Sequence, residues 1–320
     1  MNLHFTKYSA TGNIIGVAYY SDIFNIEKFI NDFEVRKNLK NLATKNNCDS
    51  VMVLIKTKGN EPNLETIVFE PNNGDECGTF SVMCGNGVRA VADYAHEYLN
   101  FSNWPLLLKT KSGTLKIEKL SNKTYHVFMG NIVTDKVALN SYVNPRYFPE
   151  NTELADVGIP QSLLQKIKTL SFSKNSAVCS IGFSTSENNI YKTDGEPHIM
   201  IELNNLFVRT LKELKEVAKK YGSIICYDKK IFPLGMNVNF VIQNKQKDES
   251  FFVCTFERNL GDNPEKSVTQ ACGTGCTFVG AEQMRKLKTK KIIAQCLGGN
   301  LVIEEKNNSV YMSGDVVRLN

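Results

Sequence analysis

The chain has 320 residues, 42% of them hydrophobic and 22% charged, which is ordinary for a globular protein and leaves room for two domains or one large one. A formal net charge of +5 is too small to imply nucleic acid, and no run approaches the roughly 20 apolar residues of a membrane span. Nine cysteines, odd in number and scattered, argue against a secreted disulfide scaffold and for a reducing cytoplasm, and residues 1–8 show no secretory leader pattern.

In chain order, a helical pattern fills 26–45, with Ile30, Phe33, Leu39 and Leu42 roughly on one face. Runs rich in Val, Ile, Phe and Thr predict strands at 50–56 and 65–70. Cys84-Gly85-Asn86-Gly87 then leads into a helix over 88–99, with Val88, Val91, Ala95 and Tyr98 inward. Strands are predicted at 106–111, 114–119 and 125–129, and the segment 137–149, with two prolines, suits a linker or long loop. Beyond it come strands at 176–182 and 199–203, an amphipathic helix over 206–221, and strands at 237–243 and 251–256. Cys272-Gly273-Thr274-Gly275 opens a helix over 277–287 with Phe278, Ala281, Met284 and Leu287 inward. The basic run 285–291 reads as its solvated end, and a strand at 301–305 follows. Many strands with few, separated helices predict an α+β protein rather than a doubly wound sheet.

Each half of the chain carries one Cys-Gly-x-Gly step before a helix, so the halves read as structural repeats with a boundary near 130–145. A cysteine at such a step sits at the positive end of the helix dipole, beside backbone N–H groups that lack intrahelical partners. Both effects favour thiolate and lower the thiol pKa. The same N–H groups can hold a carboxylate. Two such steps facing each other would place two thiols around one anion site. Inverting an amino-acid α-carbon needs that arrangement: donors that stabilise the enediolate, a base on one face and an acid on the other. A single step is weak, since most intracellular cysteines are buried small hydrophobes. Cys48, Cys77, Cys179, Cys226, Cys254 and Cys296 read that way. Cys272 and Cys276 could form half of a zinc site completed by His198, Cys254 or Cys84, though the chain has no CxxC pair.

At these residues the sequence resembles the diaminopimelate epimerase family nearly end to end. The segment 7–13 (KYSATGN) is similar to the family's opening, and 82–90 (VMCGNGVRA) to its first cysteine motif. Pro197-His198, Asn237-Val238-Asn239-Phe240, Thr255-Phe256-Glu257-Arg258 and Ala271-Cys272-Gly273-Thr274-Gly275 are similar to its later motifs, in order. The resemblance implies two pseudo-symmetric α+β domains, each a barrel-like, mostly antiparallel sheet around a central helix. The active site would lie between them. The division would be 1–135, joined by a returning strand at 311–320, and 136–310. It also implies catalysis without PLP, metal or other cofactor. Cys84 and Cys272 would be the acid and base. The backbone at Gly85, Asn86, Gly273 and Thr274 would hold the reacting carboxylate, and Glu257 the α-ammonium. Asn13 would help line the cleft, Arg258 and Asn237 would reach the substrate's far end, and His198 would brace its turn.

The sequence departs from the family at that far end. Glu196 stands where the family has asparagine before Pro-His, and the family's upstream loop asparagine falls on or near Glu70. Asn13 is followed by Ile14-Ile15 rather than Asp-Phe, and the segments 69–83 and 257–272 are longer than usual. Added carboxylates favour a cationic side chain. The expected substrate is therefore a small basic amino acid, histidine first, unless Glu196 pairs with Arg258. Diaminopimelate itself is the alternative, and a thiol redox or zinc protein is the alternative of another class. The expected partner is the small-molecule amino acid, not nucleic acid or membrane, and a homodimer is compatible with the sequence.

Overall fold

Asp32 explains why the long helical pattern at 26–45 is two helices: its carboxylate accepts the N–H of Glu34 and Val35 and starts a new helix there. This computed structural model describes residues 2–23, 25–57, 63–71, 76–134, 142–148, 160–167, 178–185, 195–203, 208–244, 249–258, 260 and 264–320. Much of the linker read at 137–149 and the start of the helix read at 206–221 lie outside them, as does the side chain of Cys179.

The elements run β1 (Leu3–Ala10), β2 (Asn13–Tyr20), α1 (Ile26–Ile30), α2 (Phe33–Lys45), β3 (Ser50–Lys56), β4 (Leu64–Glu70), β5 (Thr79–Ser81) and α3 (Gly85–Tyr98). Next come β6 (Leu106–Thr110), β7 (Gly113–Ser121), β8 (Thr124–Val133), α4 (Gln161–Lys166), β9 (Val178–Thr185), β10 (Glu196–Glu202) and α5 (Leu211–Cys226). The chain ends with β11 (Asn237–Gln243), β12 (Ser250–Phe256), α6 (Pro264–Ser267), α7 (Gly273–Leu287), β13 (Lys291–Cys296), β14 (Gly299–Lys306) and β15 (Ser309–Leu319). The sequence pattern had placed the start of α5 too early; a capping box between Thr210 and Glu213 sets it.

Strand pairing closes two circuits. One runs β1-β2-β3-β4-β6-β7-β8-β15 and returns to β1, and the other runs β8 through β15 in sequence order and returns to β8. Each is an eight-stranded, mostly antiparallel barrel, and β8 and β15 belong to both. This is the α+β architecture of two barrel-like units. α3 packs against β1, β2, β3, β8 and β15, and α7 against β9, β10, β13, β14 and β15. Both helices are buried on every side through most of their length, because small residues (Gly, Ala, Thr, Cys) let the strands close around them. Arg285, Lys286 and Lys288 mark the end of α7, where Lys288 adopts the left-handed conformation that turns the chain into β13. Among the described residues no helix is long and apolar enough to cross a membrane.

Candidate active site

Cys84 and Cys272 are the N-caps of α3 and α7. Each has extended backbone, and each Sγ accepts the N–H three residues on, from Gly87 at 3.3 Å and from Gly275 at 3.4 Å. Sulfur thus fills the capping place that Ser, Thr, Asp or Asn usually takes. The carbonyls of Cys84 and Cys272 accept from Val88 and Cys276, the first bonds of each helix. That leaves the N–H groups of Gly85, Asn86, Gly273 and Thr274 without an acceptor inside their helices.

The two helices meet end to end. A Cβ added to Gly85 would stand 3.1 Å from Gly273 Cα, a contact tighter than side chains usually make, so any larger residue would press the two helix ends apart. Met312 Cε lies beneath both glycines, at 3.2 and 3.3 Å from their added Cβ positions. The junction is clamped at the carbonyl of Ala271, which accepts from Asn13 Nδ2 at 2.7 Å and Asn86 Nδ2 at 2.8 Å. A cavity of about 350 Å³ opens over it, and every candidate residue from the sequence lines that cavity, from Asn13 and Glu70 through Glu196, Asn237, Glu257 and Arg258 to Thr274.

The halves repeat a further unit that the sequence reading missed. Glu70 ends β4 and accepts from Ser81 Oγ at 3.1 Å; Glu257 follows β12 and accepts from Thr269 Oγ1 at 2.8 Å. Each hydroxyl lies three residues before its cysteine. Ser81-x-x-Cys84 and Thr269-x-x-Cys272, each downstream of a glutamate, are the signal that could have found it. Each thiol therefore has a carboxyl group beside it.

The expected lowering of the thiol pKa is reversed. Burial, then the Glu70 charge, pushes Cys84 up to about 12, against the opposing pull of the Gly87 N–H. Cys84 keeps some surface open to the cavity, but its walls are dense enough for desolvation to dominate. Burial and then Glu257 raise Cys272 well above the ordinary thiol range, against a contact from Thr274 Oγ1 at 3.4 Å. Glu70 is itself pushed up to about 8, by burial and then by Glu257, and burial raises Glu257. Among the described residues the lining holds five carboxyl groups (Asp49, Glu70, Glu196, Glu257, Glu265) and two cations (Arg258, Lys266).

At the far end Arg258 Nη2 donates to Glu196 Oε2 at 3.2 Å. Asn237 joins them, accepting the Arg258 N–H at 2.8 Å and donating to Glu196 at 3.5 Å. His198 lies behind this wall with no solvent exposure, its Nε2 3.0 Å from Thr274 Oγ1 and its Nδ1 3.3 Å from Asn239 Nδ2. Burial, and then the Arg258 charge, drop its pKa to about 3, so it is neutral. Cys276, weighed as half of a zinc pair with Cys272, has its Sγ 3.3 Å from Cys296 Sγ. Cys48, Cys77, Cys226, Cys254 and Cys296 are buried free thiols.

The diaminopimelate epimerase family model matches residues 190–319. The chain is 29% identical to the diaminopimelate epimerase of Methanococcus aeolicus, covering 99% of this chain and 97% of that protein. It is 24% identical to that of Brachyspira hyodysenteriae, covering 98% and 96%. Among solved structures, a hydroxyproline epimerase from Agrobacterium vitis superposes with a TM-score of 0.60 at 12% identity, over 99% of this chain and 91% of that one, which shows the shared fold. Relatives matched over almost their whole length, together with two helix-centred barrels meeting at paired cysteine caps, make this chain similar to the diaminopimelate epimerases and support an isomerase of that kind.

Proposed function

We propose that the protein is an amino-acid racemase or epimerase that inverts the α-carbon with Cys84 and Cys272 as its two proton-transferring groups. The observation that carries this is the pair of thiol-capped helices meeting through Gly85 and Gly273 at the wall of one cavity. The substrate carboxylate would take the free N–H groups at the two helix ends, which lowers the cost of charge developing on it as the α-proton leaves. The α-ammonium would sit against Glu257. One thiolate removes the proton from one face while the opposite thiol returns one to the other, and the roles exchange with the hand of the substrate. The raised thiol values make each thiolate a strong base once formed. An ammonium arriving beside Glu257 offsets the negative charge that opposes its formation.

Glu196 pairs with Arg258, so it does not select the side chain; the preference for a basic amino acid, histidine first, then rests on Glu70, which among the described residues pairs with no cation and would receive a cationic or N–H-bearing side chain. Arg258 supports the second reading, diaminopimelate, if that ion pair opens to a distal carboxylate. Deuterium uptake at Cα in heavy water, followed across basic amino acids and diaminopimelate, separates them. Faster exchange on histidine or another basic amino acid is expected, and faster exchange on diaminopimelate overturns the substrate preference. Cys84→Ala and Cys272→Ala should each lose about a hundredfold or more of racemisation. A near-normal rate in either variant removes the two-thiol mechanism.

A further inference from the structure

Arg89 is used by none of these roles, yet it is a large charged side chain with no solvent exposure. It lies on α3, five residues after Cys84. Its Nη2 donates to Asn86 Oδ1 at 2.5 Å and to Thr11 Oγ1 at 2.9 Å, and its Nη1 donates to the backbone carbonyl of Asp315 at 3.3 Å. Its Nε has no hydrogen-bond partner. Among the described residues no carboxylate pairs with it. Asp315 hydrogen-bonds Arg89 only through its carbonyl; its carboxylate accepts from Thr124 Oγ1 at 3.0 Å and reaches Arg89 only as a charge at longer range. Burial brings its pKa down to about 10, which still leaves it charged at neutral pH. An enclosed charge without a counter-ion is costly to fold around.

The guanidinium stands one side chain behind the cavity wall. Asn86, which receives it, lines the cavity and passes the contact on to the carbonyl of Ala271, next to Cys272. Thr11, its second acceptor, lies in the turn between β1 and β2, directly before Gly12 and Asn13, and Asn13 holds the same Ala271 carbonyl. Arg89 therefore ties together α3, the first turn and β15, and through Asn86 it fixes where the two helix ends meet.

We propose that Arg89 is a positioning residue for the substrate's carboxylate. Its side chain holds the helix junction in register, and its unpaired positive charge is balanced in the working enzyme by the anion bound at the paired N-termini. This rests on the reading that a carboxylate binds there, and it adds the residue that makes the seat selective for an acid.

The test compares L-histidine with L-histidinamide, which lacks the carboxylate, by calorimetric binding, alongside kcat for histidine racemisation. The wild type should prefer the acid. In Arg89→Met that preference should shrink about tenfold or more, the scale of a charge-assisted interaction, while affinity for the amide changes little. Arg89→Lys should keep the preference but lose kcat, because an ammonium cannot hold Asn86 and Thr11 in one planar fork. Equal weakening of acid and amide, or an unchanged preference in a folded Arg89→Met protein, overturns the proposal. If Arg89→Met fails to fold, Arg89→Lys decides, and an unchanged kcat overturns it. A wild type that binds neither histidine nor diaminopimelate refutes the carboxylate seat itself, and the proposal with it.

Discussion

Glu70 and Glu257 both line the cavity; Glu70 accepts from the Ser81 hydroxyl, and Glu257 accepts from the Thr269 hydroxyl and is held by the Cys272 thiol as well. For Glu70 this has a consequence for stability. Its value in the folded chain, about 8, lies above the ordinary carboxyl value of 4.5, through burial first and then the charge of Glu257. The folded state therefore holds a proton that the unfolded state has lost between those values. Stability is fully present below the unfolded value and falls as pH rises towards the folded one. Glu70→Gln is neutral at every pH, so its unfolding free energy should decline less between about pH 5 and pH 8.5. Urea unfolding of both proteins at those two pH values measures the difference, and equal declines would show that burial does not raise the Glu70 carboxyl.

Packing at the ends of α3 and α7 sets how closely the thiols can approach. Gly85→Ala puts a methyl group 3.1 Å from Gly273 Cα, against backbone rather than a yielding side chain. Overpacking of this kind costs about 1–3 kcal/mol. Because the strain falls on the junction itself, Gly85→Ala should lower turnover sharply while the protein stays folded at the assay temperature. Thermal unfolding and kcat measured together check this, and full turnover would mean that the junction opens without cost. Much at this scale could be read from the sequence. Strands β3 and β11 fall where the composition placed them, because both are buried runs of β-branched residues between polar ends. The strands β1 and β2 mix apolar with polar and glycine residues, so composition gives no strand signal there, and the alternation of β1 shows in its burial. The strand β13 was hidden by the basic run before it, and β5 spans three residues, too short to show a period. In the site, the thiols and glycines were legible from local spacing, the acids from the resemblance to the family, and the Glu196–Arg258 pair as one of two readings of Glu196. The shared Ala271 carbonyl and Arg89 were not, since each depends on residues distant in sequence that only the closed barrels bring together.

The two barrels are joined through β8 and β15, which lie far apart in the sequence. β15 pairs with β1, β8 and β14, so one strand completes both circuits. Contacts between such distant parts of the chain form late and at a high cost in loop closure. The same strand carries Met312, fully buried, with its methyl group beneath both Gly85 and Gly273. The last strand thus supports the floor on which the two halves of the site meet. Met312→Ala would leave a cavity there and should cost about 2–5 kcal/mol of stability. Distinct from an ordinary core truncation, it should also lower turnover well below the melting temperature, because the helix ends lose the surface that keeps them opposed. Met284→Ala, at a buried position near the far end of α7, provides the comparison. It should destabilise on a similar scale and leave kcat largely intact. If the two variants lose turnover equally at matched stability, β15 serves the fold alone and does not position the site.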